Sequence, residues 1–229
     1  MTPARGTRAD GWVIGGLCLL TTATGALDAT SFLDLGRTFT ANMTGNVLLL
    51  AFSLTGTSLG GGSSSGGFAV ALVAFVVGAM LGAAVAGRRG RAARLPAAVG
   101  LEMVLLSAAL GVTAGGSVDE ALRRDAVIAL LALAMGVQNA LVRRMSVPEA
   151  NTTVLTTSLG SLAADVVAVG GRPPRAGRRV ATVACIFGGA VVGAELQRHG
   201  TIWPLLVALA LVASSALALT RAGWPAPVD

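Results

Sequence analysis

The chain has 229 residues, of which 54% are hydrophobic and only 12% are charged, and its mean hydropathy is +0.75. A soluble domain carries about 25% charged residues, so this composition excludes an ordinary water-exposed surface and predicts a membrane protein. The net charge of +6 does not indicate nucleic-acid binding, because the arginines form short clusters between apolar stretches instead of following one polar face.

The few metal-binding side chains exclude common cofactor sites. Two cysteines, Cys18 and Cys185, and a single histidine, His199, do not have the spacing of a zinc or haem site. Each cysteine falls in an apolar segment, where it is expected to act as a small buried hydrophobe. We therefore expect no metal and no cofactor, and the expected partner is the lipid bilayer.

Eight apolar segments follow one another along the chain. A membrane-spanning helix needs about 20 apolar residues, so most of them are barely long enough. The first is longer than the apolar core of a signal peptide, which favours a retained helix. A Gly/Ser-rich stretch over 60–67 is typical of a flexible loop. The segments cover approximately residues 12–33, 41–58, 68–86, 95–114, 126–142, 153–170, 180–196 and 202–220.

Three short patterns recur at nearly one offset and indicate two related halves. Residues 25–29 lie over 136–140 at an offset of 111, and the polar run 40–46 lies over 152–158 after one inserted residue. Two G-x-x-x-G pairs, which are typical of helix contacts, also repeat at the offset of 111. These predicted packing residues are Gly78, Gly82, Gly189 and Gly193.

The sequence therefore predicts one integral membrane domain in which residues 1–115 form the first membrane repeat and residues 116–229 form the second. Arginine positions constrain how the segments cross, because cytoplasmic loops collect basic residues. The strongest clusters lie over 88–94 and 172–179. Three apolar segments separate them, although two loops on one side require an even number of crossings.

The conflict disappears if the second and sixth segments enter the membrane and return on the same side. We therefore predict an all-α polytopic membrane protein with about six transmembrane helices and two re-entrant or short segments. The two repeats are then inverted, and both termini are cytoplasmic. The alternative is that all eight segments cross and that one basic loop breaks the rule.

Polar side chains inside apolar segments are costly and therefore mark candidate sites. Asp28 lies about two thirds of the way along the first segment among small or apolar neighbours. In a helix, Asn42 and Asn46 would share one face. The predicted ion- or solute-binding residues are Asp28, Asn42, Thr44, Asn46, Gln138, Asn139, Thr153 and Thr156. The alternative for the amides and hydroxyls is that they only cap helices and satisfy exposed backbone groups.

Two further carboxylates, Glu102 and Asp165, lie within apolar segments. Asp165 is nearer an arginine cluster, where its side chain can reach the membrane interface. We therefore rank it below Asp28 as a functional residue.

Two motifs resemble the YoaK family of bacterial membrane proteins. The first is the run over 25–32 followed by Phe-Thr-Ala-Asn-Met-Thr-Gly-Asn over 39–46, and the second covers 135–140 and 152–156. The resemblance extends over nearly the whole chain. It implies a bacterial inner-membrane protein with about six spans, but no substrate or mechanism, because the family is one of unknown function.

These patterns favour a secondary transporter or channel-like carrier of a small polar or anionic solute, because inverted repeats with polar, broken helices are typical of transporters. Asp28 would carry a proton or coordinate a cation, and the amides would line a midplane site. A non-catalytic scaffold or assembly factor is the alternative, and a homo-oligomer is compatible with the glycine faces. An enzyme is less favoured, because the single histidine, His199, lies outside the apolar segments, and a pair formed by Asp28 and Asp165 has no supporting motif.

Overall fold

The computed structural model describes residues 7–57, 59–60, 62, 64–88, 94–116, 120–145 and 176–223. Within these residues the secondary structure is seven α-helices without a strand: α1 Thr7–Asp34, α2 Met43–Leu54, α3 Ser65–Arg88, α4 Arg94–Ala114, α5 Ala121–Arg144, α6 Ala176–Gln197 and α7 Ile202–Arg221. All except α2 are long and apolar enough to cross a membrane. The predicted all-α polytopic class is confirmed. The sixth apolar segment, with Thr153, Thr156 and Asp165, lies outside the described residues.

Local sequence explains several helix ends. Pro96 and Pro204 lie in the first turns of α4 and α7, where the missing N–H of proline has no helical partner to lose. Helix α1 ends where Gly36 and Arg37 adopt positive φ angles of 73° and 58°. These left-handed residues turn the chain back towards the bundle.

The closest approach between α3 and α5 occurs at glycines. A Cβ atom built on Gly78 would lie 2.1 Å from the carbonyl oxygen of Leu133. One turn later, a Cβ on Gly82 would lie 3.0 Å from the Cα of Val137, and a Cβ on Gly136 would lie 2.2 Å from the Phe75 carbonyl oxygen. Since the contacts advance along both helices together, α3 and α5 are parallel.

Helices α1 and α6 pack in the same way. A Cβ on Gly189 would lie 2.1 Å from the carbonyl oxygen of Thr22, and one on Gly193 would lie 2.5 Å from that of Ala26. On the opposite side of the contact, a Cβ on Gly25 would lie 2.3 Å from the Ile186 carbonyl oxygen. Helices α1 and α6 are therefore also parallel.

Antiparallel contacts define the two ends of the bundle. Ser215 Oγ of α7 donates a hydrogen bond to the Gly16 carbonyl of α1 at 2.9 Å. At the opposite end, Arg123 near the start of α5 donates to the Val112 carbonyl near the end of α4 at 3.1 Å. We call end A the end where α1, α4 and α6 begin, and end B the end where they finish. Helices α3, α5 and α7 run from end B to end A.

The segment between α1 and α3 leaves and returns at end B. A Cβ built on Gly36, just after α1, would lie 3.0 Å from the carbonyl oxygen of Gly62, just before α3. Both glycines lie against the side chain of Arg124 at the start of α5. Helix α2 has 12 residues and is about 18 Å long, which is too short for a hydrocarbon layer of about 30 Å. The second apolar segment is therefore short and re-entrant, as predicted.

Helices α1 and α5 form the centre of the bundle. In the most apolar part of each, 61% of the residues are buried, compared with 28% for α3 and 17% for α6. The outer helices expose large apolar side chains such as Met80 and Phe187. In a membrane protein these side chains contact lipid, so the exposed apolar surface agrees with the membrane location.

Candidate functional site

A cavity of about 800 Å³ lies between α1, the start of α2 and α6. Among the described residues that line it, Asp28 is the only charged one. We call it the Asp28 cavity. Its polar lining side chains are Thr24, Asp28, Asn42 and Thr44, and its aromatic lining side chains are Phe32, Phe39 and Phe187. A cavity of this size with a few polar groups in an apolar lining is typical of a small-molecule site.

Asp28 ties the re-entrant segment to α1. Its Oδ1 atom accepts hydrogen bonds from the backbone N–H groups of Thr40 and Ala41, both at 2.8 Å, and from Thr40 Oγ1 at 3.0 Å. Asp28 lies six residues before the end of α1, or about 9 Å along the helix axis. The chain after α1 therefore re-enters the bundle to this depth, where the carboxylate satisfies backbone groups that have no helical partner.

The second carboxylate oxygen of Asp28, Oδ2, differs from Oδ1 in its hydrogen bonding. The three hydrogen bonds from Thr40 and Ala41 all end on Oδ1, and the backbone N–H of Asn42 also interacts with the carboxylate. Because Asp28 lines the cavity and is half-buried, Oδ2 is the oxygen that can accept a hydrogen bond from a bound molecule.

Asn46 fixes the shape of the re-entrant loop. Its fully buried amide accepts a hydrogen bond from the Phe39 N–H at 2.9 Å and donates one to the Phe39 carbonyl at 2.7 Å. The Phe39 ring stacks on Phe32 of α1, with 4.9 Å between the ring centroids. Asn46 itself is not part of the cavity lining.

Asn42 and Thr44 are exposed at the start of α2 and line the cavity. Asn42 is the N-cap residue, and its Oδ1 accepts a hydrogen bond from the Gly45 N–H at 3.3 Å. Its φ and ψ angles of −85° and 75° are not helical. The expectation that Asn42 and Asn46 share a helical face is therefore wrong, because α2 begins at Met43. The contact matches the helix-capping alternative.

Gln138 reaches the cavity only indirectly. This buried side chain of α5 donates from Nε2 to Thr24 Oγ1 at 2.7 Å, and Thr24 lines the cavity. The other amide atom, Oε1, is buried without a hydrogen-bond partner among the described residues. Asn139 lies outside the lining and accepts a hydrogen bond from Arg143 at 3.0 Å.

The structure thus brings Asp28, Asn42 and Thr44 to one cavity, but Asn46, Gln138 and Asn139 lie outside its lining. The sequence patterns did not single out Thr24 or Thr40. Thr24 carried a usable signal, because a residue four positions before Asp28 lies on the same helical face. Thr40 lies in the Phe-Thr-Ala-Asn run, but its contact with Asp28 depends on the path of the loop.

The comparisons with known proteins agree with this architecture. The family described as "Protein of unknown function (DUF1275)" matches residues 16–218, which include every residue of the cavity lining. The chain belongs to the DUF1275 family. This membership confirms the YoaK-like resemblance expected from the motifs.

One curated relative is similar to this DUF1275 chain. It is the UPF0700 transmembrane protein YoaK of Bacillus subtilis (strain 168), which is 31% identical over 151 residues. The match covers 66% of this chain and 65% of the relative, slightly less than two thirds of the relative's length. No solved structure matches the chain.

Proposed function

We propose that this DUF1275 protein is a secondary transporter or channel-like carrier that moves a small polar solute across the bacterial inner membrane. The Asp28 cavity supports the proposal most directly, because it combines a carboxylate, neighbouring polar groups and a re-entrant segment inside a membrane bundle. A neutral or cationic solute is favoured over an anion, since Asp28 is the only charged residue in the described lining.

The proposal includes two inverted repeats. Gly25 packs against α6, and Gly136, which lies 111 positions later, packs against α3. The nearest atoms to them are the carbonyl oxygens of Ile186 and Phe75, two residues that are also 111 positions apart. Helix α1 runs from end A to end B and α5 runs in the opposite direction. This exchange of equivalent contacts between oppositely directed halves supports the inverted arrangement that is typical of secondary transporters.

End A is assigned to the cytoplasm. Among the described residues, four arginines lie near end B, namely Arg37, Arg123, Arg124 and Arg198. Eight lie near the helix ends at end A, namely Arg8, Arg88, Arg94, Arg143, Arg144, Arg178, Arg179 and Arg221. Basic residues collect on the cytoplasmic side of a membrane protein. Both chain termini are then cytoplasmic, and the Asp28 cavity lies towards the outer side.

In this proposal, Asp28 links solute binding to the position of the loop. A solute that donates a hydrogen bond to Oδ2 binds without disturbing the loop. A solute that displaces Thr40 and Ala41 from Oδ1 frees their N–H groups and releases the re-entrant segment from α1. The bound solute therefore has a different affinity for the protein when the loop is bonded to Asp28 than when the loop is released. A transport cycle requires such a difference in affinity between two conformations.

A non-catalytic scaffold or assembly factor is the second candidate function. One observation favours it: every hydrogen bond that Asp28 makes with a described residue goes to the protein's own loop. A carboxylate with a purely structural role would make the same contacts. We assign no enzymatic role to the cavity.

The two candidates are separated by Asp28→Asn, which removes the charge and keeps an acceptor oxygen for the loop. A panel of sugars, polyols, amino acids and small organic cations is screened by thermal stabilisation of the purified protein. Each stabilising compound is then measured by counterflow in proteoliposomes. We expect D28N to lower flux by about tenfold, which corresponds to about 1.4 kcal/mol.

The matched control is Asp34→Asn, because Asp34 is also near the end of α1 but lies outside the cavity and accepts a hydrogen bond from Thr201. D34N should transport like the unaltered protein. Equal flux through D28N would remove the cavity from the mechanism. If no compound stabilises the protein or exchanges across the vesicle membrane, the scaffold function is the better explanation.

A further inference from the structure

Glu102 is a carboxylate that the Asp28 cavity does not use. It lies in α4, which spans Arg94–Ala114, two residues from the middle of the helix and so about 3 Å from it along the axis. Its side chain is fully buried, and it is absent from the lining of the Asp28 cavity. The group therefore lies deep in the membrane layer, away from both ends of the bundle.

Neither oxygen of this carboxylate has a hydrogen-bond partner. Both Oε1 and Oε2 of Glu102 are buried and unpaired among the described residues. Asp28, by contrast, accepts three hydrogen bonds. An ionised carboxylate without a partner is very unfavourable in an apolar medium, whereas its neutral acid costs only the unmade hydrogen bonds.

The neighbouring helices supply no counter-charge at this depth. Helix α4 packs against α3, α5 and α7. The charged residues on these three helices lie within five residues of a helix end, and the helices contain no His, Cys or Tyr. The charged residues concerned are Arg88, Arg123, Arg124, Asp125, Arg143, Arg144 and Arg221. The described surroundings of Glu102 therefore favour the uncharged form.

We propose that Glu102 is a proton-binding site that is separate from the Asp28 cavity. The side chain holds its proton in the arrangement described above. When α4 separates from α5 and α7, water enters, the O–H bond breaks, and the proton passes to water and leaves a solvated carboxylate. A buried acid without a hydrogen bond stabilises the packing of α4 less than an apolar side chain of similar size would. We therefore expect Glu102 to function in a second arrangement, in which α4 is separated from its neighbours.

This proton site deepens the proposed transport function, and its coupling role rests on that function. Helix α5 packs against α4 and also holds Gln138, which bonds to Thr24 in the Asp28 cavity. A movement of α5 away from α4 would therefore change the surroundings of both Glu102 and the Asp28 cavity. Transport would then be coupled to a proton carried by Glu102, with Asp28 left to contact the solute.

The test measures the proton itself and needs no solute. The full-length protein is labelled with ¹³C at the glutamate side-chain carboxyl, placed in lipid vesicles at about pH 8, and examined by infrared spectroscopy. An ordinary glutamic acid is fully ionised at that pH. We expect one labelled band of a protonated carboxylic acid, absent in Glu102→Gln and unchanged in Glu195→Gln, a control at an exposed position.

Transfer of the vesicles into D₂O then tests whether water can reach the Glu102 carboxyl group. The acid band should shift slowly, because exchange requires the helices to open. A missing acid band in the unaltered protein, or its persistence in E102Q, would overturn the neutral-acid assignment. A band that never shifts in D₂O would overturn the release step.

Folding is checked separately, because Gln closely resembles a neutral carboxylic acid in shape. E102Q should unfold within a few degrees of the unaltered protein, and a large loss of stability would contradict an uncharged, unpaired Glu102. Failure of the D28N transport test would leave these spectroscopic results intact. The two proposals can therefore fail independently.

Discussion

The glycine contact between α1 and α6 gives the sharpest stability prediction. Gly188 and Gly189 are neighbours in α6, but a Cβ built on Gly188 meets nothing within 4 Å, whereas one on Gly189 would lie 2.1 Å from the Thr22 carbonyl oxygen. Gly189→Ala and Gly188→Ala therefore make the same chemical change on two faces of one helix. Only G189A should disrupt the packing.

The magnitude follows from the displacement that G189A requires. Ordinary van der Waals contact begins at 3.4 Å, so α1 and α6 must separate by about 1.3 Å at this crossing. The obstructing atom is a backbone oxygen, which cannot rotate away like a side chain. Overpacking of this kind costs about 1–3 kcal/mol, and we expect the upper part of that range. Alanine also favours the helix over glycine by about 1 kcal/mol, so G188A should be neutral or slightly stabilising.

The assay is reversible unfolding in mixed micelles with increasing denaturing detergent, followed by circular dichroism. G189A should unfold at a clearly lower detergent fraction than G188A. The same midpoint for both variants would refute the close α1–α6 crossing and the reasoning built on it.

Two further predictions concern packing and topology. Cys18 and Cys185 interact directly across α1 and α6, so mild oxidation should link them within one chain and remove both maleimide-reactive thiols from the denatured protein; loss of only one thiol per chain would contradict this neighbourhood. In a background without these cysteines, single cysteines at Arg37 and Ser64 should both react with an impermeant maleimide in intact cells, whereas one at Arg143 should react only after permeabilisation. If Arg37 and Ser64 label from opposite sides, the segment containing α2 crosses the membrane.

The sequence predicted the spans well because a sufficient apolar length is the main requirement for a membrane-spanning helix. Each described helix overlaps a predicted segment, although α1 starts at Thr7, five residues before the predicted start, and α5 starts at Ala121, also five residues before it. Polar residues at these ends join the helix because backbone hydrogen bonding continues past the apolar stretch. The apolar composition of a segment therefore does not show at which residue the helix begins.

The details of the cavity depended on information that local patterns lack. Asp28 stood out as a carboxylate in an apolar segment, but its partners lie 12 and 13 positions later across a loop. Asn42 and Asn46 have helical spacing, yet the helix begins between them. The glycine pairs were visible as motifs, whereas their partner helices were not, since many apolar faces in the chain resemble one another.

The glycine crossings also set the order in which the protein can be completed during synthesis. Helix α1 is the first of the described helices to be made, but Thr22 can meet Gly189 only after 167 further residues have been made. Gly78, in contrast, can meet Leu133 after only 55 further residues have been made. The α3–α5 crossing can therefore assemble while the ribosome is still translating, whereas the α1–α6 crossing can close only after α6 has been made. Until α6 has been inserted, the Asp28 cavity lacks its α6 wall, so a nascent chain cannot complete this cavity earlier.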